Sequence, residues 1–492
     1  MQQTYSPLYA AIQKTKTKND CLTYETTSDP CVDLFFSINA ARNMEEDILF
    51  DLFSKAFKAN PEDACKILFY SRDIRGGQGE RNTFRNLLKR IANDAEMANP
   101  FSYLVPLIPH YGRWDDMFTL FDTPLEPEAL VWIEIALKST GSQTNALCAK
   151  WMPREKSSKK HIAKKIMKKM NLTPRSYRKL LSQHTSVVEN LMCQKDWDNI
   201  SFEKVPSLAM RNYRKAFKRN TAKWEDYIKQ LESGEATVNA NALYPHDIVN
   251  KYFPNLGSGA LCSFEQSPIL EQQWKALPNY MQEDNMVLPL VDVSGSMYSG
   301  NSKADKMAPI FPAISLGLYI AEKNKGPFKD HFITFSEMPK LEKIEGDSLA
   351  EKVGNLKNAD WGYNTNISAV FDTLLEASIE NEVDPNDMPN QILILSDMEF
   401  DTACANGDSV TAYEYASHKY NQAGYTLPKI VFWNLNSSGK NCPVEFNQMD
   451  TALVSGFSPV ILKQILSTEK LTPETIMRNV LDGKRYSQIK FT

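Results

Sequence analysis

Val287-Leu288-Pro289-Leu290-Val291-Asp292-Val293-Ser294-Gly295-Ser296 decides the fold of this chain. Its five leading residues form a short apolar run of the kind a strand buried on both faces shows. A carboxylate and two hydroxyls on alternate residues follow it. Outward from there, short apolar runs alternate with amphipathic segments: Pro309–Asn324, HFITF at 331–335, Asn366–Glu380, QILIL at 391–395, Ser409–Gln422, KIVFW at 429–433, and TALVS at 451–455 before Pro459–Leu466. That rhythm predicts βαβ units, hence an α/β doubly wound parallel sheet whose ligands gather at the carboxyl ends of its strands.

The D-x-S-x-S stretch stands where such a site belongs. Asp292, Ser294 and Ser296 can converge on one hard cation, with Gly295 relaxing the backbone between them. Thr365 in WGYNTN offers a third hydroxyl ahead of a helix, and Asp397 in LILSDMEFD follows another apolar run. A lone Asp after a strand is ordinarily a helix cap, but three matches at strand ends, in this order, exceed that explanation. Together they resemble the metal-ion-dependent adhesion site of a von Willebrand factor A domain, over roughly Met286 to Leu466.

That resemblance implies Asp292, Ser294, Ser296 and Thr365 as ligands and Asp397 as a carboxylate reaching the ion directly or through water. A glycine pair commonly precedes the family's threonine, where this chain has Gly362-Tyr363-Asn364. Glu399 and Asp401 would share the side of Asp397 if the segment stays extended. They are either supporting groups or solvated acids, and the second is the expectation. Two carboxylates would balance a divalent cation, expected to be Mg2+, that can accept a further anionic oxygen from a partner carboxylate or a phosphate. Hydrolysis would need an activated water and a positioned base, and none of the six histidines lies in these loops.

From about Cys31 to Glu232 the pattern is helical. Met44–Lys58 carries Ile48, Leu49, Leu52, Phe53, Ala56 and Phe57 on one stripe, and Asn60-Pro61 supplies a cap and first-turn proline for the next helix. Further helices are expected at Arg81–Ala92 and near Glu128–Lys138, Tyr177–Met192, Ser207–Arg219 and Thr221–Glu232. Nothing in this half alternates like a sheet. Helix after helix suggests a HEAT-type repeat, with a plain bundle as the alternative.

Charge is segregated along this half. Lys150–Lys223 holds 20 Lys and Arg against 5 Asp and Glu, an excess of fifteen in a chain whose net charge is -4. Trp151, Tyr177, Trp197, Tyr213 and Phe217 are interleaved among these cations. Lysines and arginines gain by releasing phosphate counterions, while aromatic planes stack on unpaired bases, so the mixture suits nucleic acid. It also suits a solvated amphipathic helix, since Lys164, Lys165, Lys168 and Lys169 recur beside Ile162, Ile166, Met167 and Met170.

Two loop motifs complete the reading: Ser71-Arg72-Asp73-Ile74-Arg75-Gly76-Gly77-Gln78-Gly79-Glu80-Arg81, and Tyr111-Gly112-Arg113-Trp114-Asp115-Asp116-Met117. The first lacks phosphate-loop spacing and a preceding strand, so taken alone it reads as a glycine-rich helix junction with salt-bridged arginines. In sequence with a D-x-S-x-S domain, the pair resembles the TROVE module of the Ro autoantigen family, over about Cys31 to Leu466. The resemblance implies a ring of HEAT-like repeats closed by the A domain, binding small noncoding RNA and single-stranded ends of misfolded RNA, in some bacteria beside an exonuclease. The strongest RNA-binding candidates are Lys164, Lys165, Lys168, Lys169, Arg211, Arg214, Lys215, Lys218 and Arg219, with Arg72, Arg75, Arg113, Lys150 and Arg154 behind them.

Length and composition bound the rest. A chain of 492 residues, 42% hydrophobic and 24% charged, fits two to four folded domains and excludes collagen-like and wholly disordered classes. The expected division is an N-terminal segment 1–30, a helical domain 31–274 and an A-type domain 275–492. Eight cysteines without a C-x-x-C pair fit reduced thiols in a cytoplasmic protein. No apolar run approaches membrane-spanning length. The expectation is therefore a monomeric, non-enzymatic RNA-binding protein. Its alternative is a metal-dependent adaptor gripping an acidic partner side chain without RNA, and a nuclease is the weakest reading.

Overall fold

Val287–Val291 is a strand buried along its whole length, at the centre of a six-stranded sheet. The computed structural model describes residues 14–139, 143–184, 187–240, 243–252, 267–281, 286–298, 308–335, 339–356, 366–401 and 410–491. Its strands are β1 (Lys14–Lys16), β2 (Leu22–Tyr24), β3 (Val287–Val291), β4 (His331–Thr334), β5 (Leu341–Lys343), β6 (Gln391–Ser396), β7 (Lys429–Asn434) and β8 (Thr451–Ser455). β1 and β2 pair as an antiparallel hairpin, and the large sheet runs β5-β4-β3-β6-β7-β8. All of its pairings are parallel except β4 with β5. The uninterrupted apolar runs of β3, β6 and β8 follow from helices covering both faces of a parallel sheet.

From β3 the chain moves outward through β4 to β5 and then returns to the other side of β3 as β6. The reversal opens a crevice at the carboxyl ends of β3 and β6. The helix Ile310–Lys323, buried through most of its length, packs on β3 so closely that a Cβ on Gly317 would lie 2.4 Å from Val291 Cγ2. Ile367–Glu380 and Ala412–Gln422 are started by side-chain caps, Asn366 and Thr411. They are joined by Lys419 Nζ to Asp372 Oδ1 at 2.7 Å and Tyr415 OH to Asp372 Oδ2 at 3.1 Å.

Two compact units result: residues up to Ile67 with Leu243–Gln488, and Leu68–Ala242 with Ile489–Thr492. The sheet's unit thus takes in helices that the sequence groups with the helical half. Pro30–Ile38, capped by Asp29, packs beside β8, where Ser455 Oγ donates to the Phe35 carbonyl at 2.9 Å. Arg478 Nη2 reaches the buried Asp63 Oδ2 at 2.5 Å. An amphipathic stripe tells which side of a helix is buried, not which element buries it.

In the second unit no strand occurs among the described residues. Helices form at Arg81–Asn93, Glu126–Lys138, Ser207–Asn220 and Lys223–Ser233, close to the expected ranges. The segment expected as one helix from Tyr177 divides into Pro174–His184 and Val188–Cys193. Phe202, Phe217, Trp224 and Tyr227 form one aromatic cluster, and Phe69, Phe84, Phe101 and Tyr111 another. No helix among the described residues is long and apolar enough to cross a membrane.

Candidate metal centre and basic helical face

Register brings the site together. Val291 pairs with Leu395, so Asp292 and Ser396 stand next to each other one step further along, and the Asp292 amide donates to the Leu395 carbonyl at 3.0 Å. Asp292 is fully buried, with Oδ1 accepting from the Ser294 amide at 2.9 Å and Oδ2 from the Ser396 hydroxyl at 2.5 Å. Ser294 Oγ and Ser296 Oγ lie 3.0 Å apart, and the Ser296 side chain also bonds Asp397. Asp397, 3% exposed, accepts from the Glu399 amide at 3.3 Å. Asp292, Ser294, Ser296 and Asp397 are therefore one cluster in the crevice. Thr365 lies outside the described residues.

Burial pushes the Asp292 carboxyl up from its ordinary range, with the Asp401 charge adding to it and hydrogen bonds from Ser396 and Ser294 opposing it. Burial and then the Asp292 charge push Asp397 up to about 7. Among the described residues neither carboxylate has a Lys, Arg or His partner. Two adjacent buried carboxylates are costly unless a proton or a cation neutralises them. All-oxygen donors of this kind fit a hard divalent ion such as Mg2+ and give a softer metal no nitrogen or sulfur. Among the described residues no group of three or more His, Cys, Asp or Glu could hold a metal, so the donor set here is two carboxylates with hydroxyls.

Two contributors escaped the sequence reading. Ser396 was visible only as the last residue of an apolar run, yet its hydroxyl holds Asp292. Glu399, expected as a solvated acid, is 5% exposed. It accepts from the Lys18 amide at 3.0 Å and pairs with Lys18 Nζ at 3.5 Å, in the turn between β1 and β2. No local signal marks a contact between residues 381 apart in sequence.

The basic candidates divide by environment. Lys164 and Lys168 stand exposed on the helix Lys160–Lys169 and make no ion pair among the described residues. Lys165 is tied to Asp122 Oδ1 at 2.5 Å and Glu126 Oε2 at 2.7 Å, and Lys169 lies 3.9 Å from Glu134. Lys215, Lys218 and Arg219 are exposed on Ser207–Asn220, while Arg211 and Arg214 are half-buried. Lys150 lies 3.8 Å from Glu189, and Arg154 is exposed.

The loop arginines mostly serve the fold. Arg72 is 1% exposed and its Nε donates to Asp116 Oδ2 at 2.8 Å, while Arg85 reaches Asp116 Oδ1 and Asp115 Oδ2, each at 2.6 Å. A Cβ on Gly112 would lie 2.4 Å from Asp116 Oδ2 and 3.0 Å from Arg72 Nε, so glycine lets the two motifs close on each other. Arg72 is thereby an interior strut. Arg113 is half-buried over the Trp151 ring, 5.1 Å from its centre, and Arg75 is exposed with Nη1 on the His110 carbonyl at 3.4 Å.

Residues 287–490 match the family described as Domain of unknown function (DUF7788), and residues 17–93 and 134–286 match that described as Domain of unknown function (DUF2828). Uncharacterized protein L728 of Acanthamoeba polyphaga mimivirus is 32% identical over 518 residues, covering 95% of this chain and 87% of the viral protein. The chain belongs to the family of that viral protein. Within this family's two matched regions, Asp292, Ser294, Ser296 and Asp397 fall in the first description and the basic block Lys150–Lys223 in the second. The motif at Tyr111–Met117 falls between the matched stretches of the second.

Proposed function

We propose that this protein is a non-enzymatic, cytoplasmic RNA-binding protein of the Ro type, with HEAT-like helices carrying TROVE character and an A-type domain carrying a divalent-cation docking site. Small noncoding or single-stranded RNA is its partner. The observation that carries the reading is that Lys164 and Lys168 are exposed and without an ion pair among the described residues, on a helix whose other face is buried, within a segment holding fifteen excess positive charges. A positive surplus of this size attracts a polyanion.

The test is the nucleic acid that co-purifies with the chain at low salt, followed by titration with single-stranded RNA. Contact with about five phosphates gives a slope of log affinity against log salt of roughly -3 to -4. A clean protein spectrum, or affinity indifferent to salt, would sink the reading.

A second reading is favoured by the paired buried carboxylates: a cation-dependent adaptor in which the ion, held by Asp292 and Asp397 with Ser294 and Ser296, grips an acidic group of a protein such as an exonuclease. The ion would supply a Lewis-acidic docking point. The chain's residues orient it and exclude water. Partner capture lost both in chelator and on Asp292→Ala, with no nucleic acid present, selects the adaptor.

A further inference from the structure

We propose that the turn between β1 and β2 is a positioning element of the cation site, acting through Glu399 on Asp397. The inference rests on the cation reading of Asp292 and Asp397. It adds a part of the chain far away in sequence, which the D-x-S-x-S resemblance does not include.

The contacts form a continuous path. Thr17 Oγ1 donates to the Phe400 carbonyl at 2.7 Å and accepts from the Cys21 amide at 3.0 Å, so one hydroxyl both shapes the turn and docks it. The Lys18 amide donates to Glu399 Oε2 at 3.0 Å, Lys18 Nζ lies 3.5 Å from Glu399 Oε1, and Asn19 Nδ2 donates to the Glu399 carbonyl at 2.9 Å. Asp20 and Asp401 form an antiparallel bridge. Glu399 is thus held at side chain and backbone, and its own amide donates to Asp397 Oδ1 at 3.3 Å.

Between them sits Met398, buried and at φ 64°, a left-handed conformation costly for a residue with a long side chain. Its amide is held by Ser396 Oγ at 3.1 Å, the same hydroxyl that binds Asp292. A backbone in that state persists only when its neighbours fix it, and the hairpin turn fixes the far side. A two-stranded hairpin is marginal alone in water, so β1 and β2 in turn depend on what they dock against. Each side orders the other, and coupling of this kind is reciprocal: a cation that fixes Asp397 tightens the hairpin, and a docked hairpin raises cation affinity.

The experiment uses the full chain and Mg2+ alone. Glu399→Ala and Thr17→Val are each expected to weaken Mg2+ binding, read by calorimetry, by ~10-fold, the usual loss for a group that orients a ligand. Glu399→Gln keeps an acceptor for the Lys18 amide and recovers most of the affinity, which a merely charge-based role would not allow. Hydrogen exchange of the wild type is expected to slow at residues 14–24 on adding Mg2+. That measurement needs no variant, so it decides the matter should Glu399→Ala fail to fold. Unaltered Mg2+ affinity in the two weakened variants, or hairpin exchange indifferent to Mg2+, overturns the positioning role. A wild type that binds no Mg2+ and matches Asp292→Ala overturns the cation reading itself, and this inference with it.

Discussion

Asp292 and Asp397 lie side by side at the ends of adjacent parallel strands, both buried, and the charge of the first raises the proton affinity of the second. Burial is the largest cause of that rise.

Stability without cation should therefore depend on pH in a definite direction. Folded Asp397 holds its proton up to about 7. An unfolded aspartate loses its proton near ~4. Between these values the folded chain binds more protons than the unfolded one, so stability falls as pH rises through the window. Melting temperatures in chelator are expected to decline from about pH 4 to about pH 7. Mg2+ should raise them more at the alkaline end, and Asp397→Asn should flatten the decline and abolish the Mg2+ gain.

Arg72 separates folding from binding. Arg72→Met leaves Asp116 with one guanidinium instead of two in a fully buried place. A loss of about 3 kcal/mol is expected in urea unfolding. RNA affinity of the folded fraction, measured well below the transition, should be unchanged.

The lysines of one helix should differ in what they contribute to RNA binding. Lys164→Ala and Lys168→Ala are each expected to reduce the salt slope by about one. Lys165→Ala should alter it less, because Asp122 and Glu126 already engage that ammonium. Filter binding across a salt series reads all three.

Close packing under the site makes a fourth prediction. Gly317→Ala would bring a Cβ to 2.4 Å from Val291 Cγ2 and push the helix Ile310–Lys323 away from β3. Overpacking of this kind costs about 1–3 kcal/mol. Chemical denaturation should show the loss, with weaker Mg2+ binding if Asp292 shifts with its strand.

Legibility in the sequence followed burial. β3, β6, β7 and β8 were readable because two covered faces leave uninterrupted apolar runs. The three-residue edge strand β5, Leu-Glu-Lys, is largely exposed and carries no such run, and β1 and β2 are equally short. Asp292, Ser294 and Ser296 were legible because they alternate within five residues. Glu399 was not, since what buries it is a turn made by Lys18 and Asn19. Lys164 and Lys165 look identical in sequence, and the tertiary positions of Asp122 and Glu126 distinguish them.

The packing of Pro30–Ile38 beside β8 also sets an order of events on the ribosome. Phe35 is made 420 residues ahead of Ser455, which ends the strand that helps to cover it. At ordinary elongation rates that gap lasts on the order of half a minute. The main part of the helical unit, Leu68–Ala242, is encoded within that gap. The sheet-bearing unit lacks β8 until the gap closes, so the apolar face of Pro30–Ile38 needs shelter from aggregation until that strand is made.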